Sequence, residues 1–414
     1  MLLGWTGLLL AAVAAGAAAC VSLVAPRRAA AAAVASALGG FVLAAWCVVV
    51  LYRLGGRIDA TVAACFIAVG ALAGGFALAA ALVPSVTRLP PAVAPVFGER
   101  SAAPWVVVVA EGQPERYHPS TVTQYFQRLA DSEVPLPRES TRVFAYFSER
   151  ERYHQAGLDP TRPVVREVTR RASAILAEKG FAGRVVEAWL HGRPRLSDAL
   201  SDAVTHGARD IAIVLLDVAE SYEFDLAVRE AGALGLASAG VRLAYAAPLW
   251  ADERLVHLVT DRVLRALPGG PRSSDGVVLA ASGRPWQWDR THPKESEHET
   301  FFCQRARAAL VAAGLTEAHV RTAWLDWQDP DVTEAVRHLS AVGCERIVVA
   351  PATTPADSLD VAIELPAAVG QAALEPSIAV EVLHGWGDDE AVSDVLADAA
   401  RVALGELGRD RDAQ

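Results

Sequence analysis

The sequence predicts an α/β protein in which two similar doubly wound parallel-sheet lobes follow about three transmembrane α-helices. Three observations carry this prediction: charge-free apolar runs at the amino terminus, alternating apolar strands and amphipathic helices beyond them, and an internal repeat in the second part.

Residues 2–24, 29–52 and 60–83 contain no charged residue. Each run exceeds the ~20 residues that ~30 Å of hydrocarbon requires at ~1.5 Å per residue. Arg27 and Arg28 occupy the first tight connection and Arg53 and Arg57 the second, where cationic heads reach the interface. Residues 17–20 faintly resemble a lipoprotein cleavage site, but residues 1–5 carry no positive charge and the run is too long for a signal peptide. Gly70 and Gly74, four apart on the third helix, have the spacing that admits another helix backbone, such as that of a membrane protein partner. An Ala/Gly-rich composition explains them equally well.

Residues 1–85 are therefore expected to be the transmembrane region and to bring the lipid bilayer in as a partner. Residues 86–104, with Pro90, Pro91, Pro95 and Pro104, read as an extended linker of ~3.1 Å per residue. The first lobe is expected over 105–270, the second over 271–407, and a charged disordered tail over 408–414.

The net charge of −10 falls almost entirely after Arg88, which argues against nucleic acid as a partner. Cys20, Cys47 and Cys65 lie in the apolar runs, Cys303 and Cys344 stand alone, and a reducing compartment fits this pattern. Arg27, Arg28, Arg88 and Arg100 against Arg53 and Arg57 give a four-to-two bias for a multi-pass cell-membrane protein with a cytoplasmic α/β part.

The repeat is read directly. Ala188, Trp189 and Leu190 match Ala323, Trp324 and Leu325; after one inserted residue, Pro194, Ala199, Gly207 and Ile211 match Pro330, Ala335, Gly343 and Ile347. Each copy runs as an apolar strand, a proline-containing loop, an amphipathic helix such as 197–205, a glycine stop and a buried strand. Further strands are expected at 105–110, 277–281 and 378–383, and helices at 163–179, 297–313 and 388–407. Two lobes related by a pseudo-twofold follow, with a ligand cleft at the carboxyl ends of the strands.

The order of these segments resembles the ferrochelatase family, within the two-lobed tetrapyrrole metal chelatases. Ala110-Glu111-Gly112-Gln113-Pro114 resembles that family's first strand end and Gly-x-Pro turn. Arg152-Tyr153-His154-Gln155-Ala156-Gly157 followed by Pro160 resembles its Arg-Tyr-x-x-x-Gly-Gly-x-Ser-Pro segment with one glycine missing. Residues 248–263 resemble the stretch closing the first lobe, and Asp357-Ser358-Leu359-Asp360 falls where the family has Asp-His-x-Glu.

The resemblance implies a lyase of haem biosynthesis, or a binding module, with a divalent metal (Fe2+) and a tetrapyrrole as substrate or ligand. It places the catalytic positions at Ser282, where the family's Ala-His-Ser-Leu-Pro turn has its histidine, and at Asp360, where it has a glutamate. Serine here lacks the group of pKa ~6.5 that suits proton removal at neutral pH.

Seven acids are expected at strand ends: Glu111, Asp217, Glu220, Glu223, Asp225, Asp357 and Asp360. Carboxylates there suit a hard or borderline cation, and Asp217, Glu220 and Asp357 are taken as metal candidates. Glu223 and Asp225 fit solvated helix-start charges better. His292 and His298 are further metal candidates, with Glu295 one turn from His298. Glu111, Tyr117, Trp286 and Trp288 are candidates to line a macrocycle; Tyr117, His118, Tyr153 and His154 belong to a first-lobe insertion.

Three readings follow: a membrane-tethered metal chelatase, a noncatalytic haem, porphyrin or metal-binding module, and a structural domain that serves a protein partner. The chain lacks GxGxxG after a strand, a Walker loop and GxSxG.

Overall fold

The computed structural model describes residues 2–55, 58–87, 94–101, 103–112, 116–157, 161–181 and 183–412. Arg57, Arg88, Pro90, Pro91, Gln113, Pro114 and Pro160, which entered the readings above, lie outside the described residues. The chain forms two compact units, Met1–Pro90 with Arg116–Gly157, and Pro91–Glu115 with Leu158–Gln414.

The first unit is all helical. Helices α1 (Leu2–Val24), α2 (Arg27–Gly55) and α3 (Ile58–Val86) form over the charge-free runs. They contain three spans long and apolar enough to cross a membrane, Trp5–Val24, Arg27–Val50 and Val62–Val86. Small residues set their approach: a Cβ on Gly16 would lie 2.0 Å from the Leu72 carbonyl oxygen, and one on Gly75 2.2 Å from that of Val13. Gly70 and Gly74 face open space, so Gly16 and Gly75 join α1 to α3 instead.

Helices α4 (Ser120–Asp131) and α5 (Glu139–Ala156) group with these membrane helices, although the sequence places residues 116–157 in the first lobe. Burial explains the placement. Val122, Val143 and Tyr146 form one apolar cluster with Cys20, Val24, Ala80 and Val83.

The second unit is built on two parallel sheets. The first, in spatial order β2-β1-β3-β4, contains β1 (Trp105–Ala110), β2 (Arg184–Trp189), β3 (Asp210–Leu215) and β4 (Arg242–Tyr245). Helices α6 (Thr161–Glu178), α7 (Leu196–Thr205), α8 (Tyr222–Ala233) and α9 (Glu253–Arg265) accompany it. The second sheet, β6-β5-β7-β8, repeats the order with β5 (Asp275–Ala281), β6 (Val320–Trp324), β7 (Arg346–Pro351) and β8 (Ala379–Val382). Its helices are α10 (Pro293–Ala312), α11 (Val332–Ala341), α12 (Leu365–Gln371) and α13 (Glu390–Asp412). Central strands β1 and β5 are buried throughout because helices cover both faces.

One apolar core runs through both lobes, from Val106, Val214 and Val259 to Leu279, Phe302 and Trp386. Helix α13 belongs to it through Val395, Leu396 and Leu407, and Arg242 of β4 donates to the Leu407 carbonyl at 2.6 Å. Residues 408–412, expected to be disordered, therefore continue α13. They extend a helix whose apolar face is already anchored. The linker is also partly pinned: Gly98 N–H donates to Val204 O at 3.0 Å and Ser101 N–H to Gly207 O at 2.8 Å.

The repeat holds at the level of single hydrogen bonds. Trp189 N–H donates to Pro194 O at 2.9 Å, and Trp324 N–H to Pro330 O at 3.0 Å. Leu190 N–H reaches Ala110 O at 3.1 Å, and Leu325 N–H reaches Ala281 O at 2.9 Å.

Candidate metal centre at the strand ends

Past the carboxyl ends of β1 and β2 the chain brings three metal-ligating side chains together. Glu111, His191 and Glu223 each offer one ligand atom, and all three atoms lie within 4.8 Å of one another. Glu111 is exposed, whereas His191 and Glu223 are 9% and 2% exposed, so the group opens to solvent on one side only. This is the edge where an open α/β sheet binds ligands.

Local structure fixes each member. His191 N–H donates to Glu111 O at 3.1 Å, tying the two strand ends together. Gly112 follows at φ +56°, and a Cβ there would stand 2.0 Å from the Trp189 ring, so only glycine lets the β1 turn lie against Trp189. Glu223 sits in the first turn of α8, whose start is capped by Ser221: its Oγ accepts from Phe224 N–H at 3.2 Å and donates to Asp217 Oδ2 at 2.6 Å. One imidazole with two carboxylates is a donor set for a borderline divalent cation rather than for Mg2+ or Ca2+.

The equivalent edge of the second lobe carries a different group. Ser282 directly follows β5, and its N–H donates to Glu299 Oε1 and Thr353 Oγ1, both at 3.3 Å. Two residues on, the Arg284 guanidinium pairs with Glu295, which also accepts from Tyr222 N–H of the first lobe at 3.0 Å. Glu295 and Glu299 are 2% and 4% exposed. Burial opposes the Arg284 charge, but Glu295, Glu299, Glu111 and Asp217 more than reverse this and hold it above its ordinary range. Burial pushes the carboxyls of Asp217, Glu295 and Glu299 up, against the pull of Arg284.

Among the described residues, the remaining sequence candidates form no second group of three metal-ligating atoms. Asp217 caps its own turn through Ser221 and Ala219 N–H. Glu220 pairs with Lys294 at 2.8 Å, and its N–H donates to His298 Nδ1 at 3.2 Å. His298 stacks on Trp250 at 4.8 Å, and burial lowers its pKa, so it and Glu295 direct their polar atoms to different partners. His292 meets Asp225 at 3.0 Å. Asp357 accepts from Gly385 N–H at 2.6 Å and contacts His384 at 2.7 Å. Asp360 opens the helical segment Asp360–Glu364 that leads into α12.

Trp288 is buried and stacks on Tyr222 at 5.1 Å, while Trp286 is exposed beneath Arg290. Tyr117 lies in the helical unit, where its hydroxyl donates to Val24 O at 2.6 Å. Of the metal-competent group, Glu111 was taken from sequence as a macrocycle-lining residue, Glu223 as a solvated helix-start charge, and His191 was missed. The available signal was in the repeat: Trp189-Leu190-His191 aligns with Trp324-Leu325-Asp326, which sets His191 just past a matched strand end.

Solved structures similar to this chain include the following three. SirB from Bacillus subtilis with Fe3+ has 18% identity over 74% of this chain and 98% of that one, at a TM-score of 0.46. The sirohydrochlorin chelatase SirB from Bacillus subtilis subspecies spizizenii in complex with cobalt has 13% identity over 73% and 96%, at 0.44. CbiX, the terminal enzyme for biosynthesis of siroheme in denitrifying bacteria, has 19% identity over 72% and 98%, at 0.42. No curated protein matches the chain. The sequence profile of the ferrochelatase family matches residues 105–404, from the start of β1 into α13 and including the α4–α5 hairpin. With that share of its length matched, the chain belongs to the ferrochelatase family and carries the two-lobed chelatase fold behind three apolar helices.

Proposed function

We propose that this protein is a membrane-tethered chelatase that takes a divalent metal at Glu111, His191 and Glu223 and passes it to a tetrapyrrole. The grouping of three ligand atoms within 4.8 Å at the strand ends carries the reading; membership of the ferrochelatase family supports the substrate class. Insertion of a divalent metal releases two pyrrole N–H protons, and the same three side chains answer that need. As His191 and a carboxylate give up the ion they recover lone pairs that accept protons, and imidazole, with an ordinary pKa of ~6.5, suits this near neutrality. Ser282 then needs no catalytic role, and the Arg284 cluster shapes the second wall. The lobes face the cytoplasm in this reading, on the arginine bias.

A noncatalytic module that holds metal or tetrapyrrole is the second reading, favoured by serine at the family's histidine position.

The test uses the purified full chain in nanodiscs. Co2+ titrated into it develops visible absorption bands of a bound ion, and His191→Ala removes them. Fe2+ and Co2+ are then mixed with protoporphyrin, coproporphyrin or sirohydrochlorin, and the macrocycle bands are followed against a protein-free control. Bands unaffected by His191→Ala sink the metal assignment. Binding with insertion no faster than the control leaves the noncatalytic module.

A further inference from the structure

The loop from β2 to α7 carries His191 of the metal-competent group and continues as Gly192-Arg193-Pro194-Arg195; its counterpart from β6 to α11 reads Asp326-Trp327-Gln328-Asp329-Pro330-Asp331. Both loops close in the same way. Trp189 bridges to Arg195 and Trp324 to Asp331, so Arg193-Pro194-Arg195 stands where the second lobe has Asp329-Pro330-Asp331. The charge is thus reversed about a common proline. In the second lobe the aspartate serves the fold: Asp331 starts α11 and accepts from Glu334 N–H at 2.7 Å. Arginine at that place cannot accept, and a cation at a helix start opposes the dipole. Asp198 and Glu230 take over for α7, accepting from the N–H groups of Arg195 and Ser197 at 3.1 and 3.2 Å. The helix start is therefore already satisfied, and stability does not account for the basic loop.

A second arginine holds this loop in place. Arg162, at the start of α6, lies over the Trp189 ring at 4.7 Å, and its Nη1 donates to Arg193 O at 2.9 Å. A Cβ on Gly192 would stand 2.7 Å from Arg162 Nη2, so glycine lets the guanidinium close on the loop. The Trp189 ring also meets Gly112, next to Glu111, so one indole joins Arg162 to the metal-competent turn. Arg193 is exposed, and its Cα lies within ~7 Å of that of His191, the reach of two residues. Arg166 and Arg171 of the same α6 pair with Glu187 and Glu167 at 3.6 and 2.7 Å. Among the described residues, neither Arg162 nor Arg193 pairs with a carboxylate, in a chain whose net charge is −10.

We propose that Arg193, held by Arg162, binds a peripheral carboxylate of the tetrapyrrole, so that this site takes an acidic macrocycle in preference to a neutral one. The proposal rests on the reading that the strand ends take a tetrapyrrole. A guanidinium matches a carboxylate as a two-point pair, and a local basic loop offsets the repulsion that an acidic chain exerts on such an anion. Arg193 takes the rim of the macrocycle while Glu111, His191 and Glu223 take the ion. Asp329 and Asp331, at the equivalent places, repel the same carboxylate, which directs it to the first lobe.

The test titrates metal-free coproporphyrin, a tetracarboxylate, and its neutral tetra-amide into the full chain in nanodiscs, with empty nanodiscs as the reference, and follows the macrocycle absorbance. Arg193→Ala is expected to weaken coproporphyrin binding ~10-fold, the loss of one charge-assisted pair, without a matching loss for the tetra-amide. Arg193→Lys recovers part of the loss, because the charge returns without the planar fork. Arg162→Ala, which acts through the loop, also lowers the ratio of acid to amide affinity, whereas a purely structural role lowers both alike. Arg193 is exposed, so its variants keep the fold, as circular dichroism checks. Equal losses for acid and amide, or no loss for either, overturn the carboxylate subsite and leave the tetrapyrrole reading standing. Binding of neither macrocycle by the unsubstituted protein overturns that reading, and the subsite with it.

Discussion

The two lobes share one topology and differ in what stands just past their strands. The bonds from His191 N–H to Glu111 O and from Asp326 N–H to Ser282 O, at 3.1 and 3.3 Å, make Glu111 equivalent to Ser282 and His191 to Asp326. At the same distance past β3 and β7, Glu223 corresponds to Leu359, which is fully buried. The turn is conserved between lobes as well: Gly283, like Gly112, has positive φ, at +77°, and a Cβ there would stand 2.1 Å from the Asp326 carbonyl oxygen. Backbone geometry is thus common to both lobes while the chemistry has separated. The first lobe carries a candidate group of metal donors, and the second has an arginine among carboxylates, a built-in cation.

The largest effect that can break this comparison is in metal affinity. His191→Ala is expected to weaken Co2+ binding at least ~100-fold, since loss of a ligand should match or exceed the 10–100-fold typical of losing its supporting partner. Asp326→Ala, at the equivalent place, is expected to leave it unchanged. Equal losses measured by titration calorimetry would mean that the lobes share the ion.

Arg284→Met comes second. Removing the guanidinium leaves Glu295 and Glu299 buried without their cation, and breaking such a pair from one side typically costs about 3–5 kcal/mol. Denaturant unfolding at pH 7.5 should report that loss, and lowering the pH should restore much of it as the carboxyls protonate. A loss independent of pH would assign Arg284 a packing role only.

Most of the fold was legible because buried parallel strands are written as continuous apolar runs. Residues 105–110 are expected and found as β1, and the matched Trp189 and Trp324 end equivalent strands. The α4–α5 hairpin was harder to place, because it read as a first-lobe insertion and nothing along the chain names the surface that Val122, Val143 and Tyr146 cover. The site was legible in its edge and not in its members. Position at a strand end follows from local pattern, whereas the meeting of Glu111, His191 and Glu223 depends on the order β2-β1-β3 and on the entry angle of α8. Arg284 was overlooked because nothing in its neighbourhood along the chain announces that Glu295 and Glu299 will close over it.

A gain of function sharpens the comparison further. Ser282→His puts an imidazole beside Glu299 and Thr353, which already meet the Ser282 backbone N–H. Should the cleft admit a tetrapyrrole, general base help of this kind is typically worth ~10² in rate or more, read as faster growth of the metallated macrocycle bands. No gain, with metal binding intact, would leave insertion to the first lobe alone.

The smallest expected effect separates the ionisation of the second lobe from its packing. Burial raises the Glu299 carboxyl above the ordinary carboxylate range, with Arg284 pulling the other way, and Thr353 donates to its Oε1 at 2.8 Å. A group whose folded pKa is raised binds its proton more tightly in the folded state. Its stabilising contribution is therefore complete below the ordinary carboxylate pKa of ~4.3 and is lost as pH rises through the folded value. Glu299→Gln mimics the protonated acid, keeps an acceptor for Thr353 and cannot ionise. The variant should match the parent near pH 4.5 and melt about 2–4 °C higher at pH 8, the shift that ~1 kcal/mol produces in a domain of this order of size. A variant that melts lower than the parent at pH 8 would mean that Glu299 is ionised and held by Arg284. The second lobe would then owe its stability to a closed ion pair, and lowering the pH would weaken it rather than strengthen it.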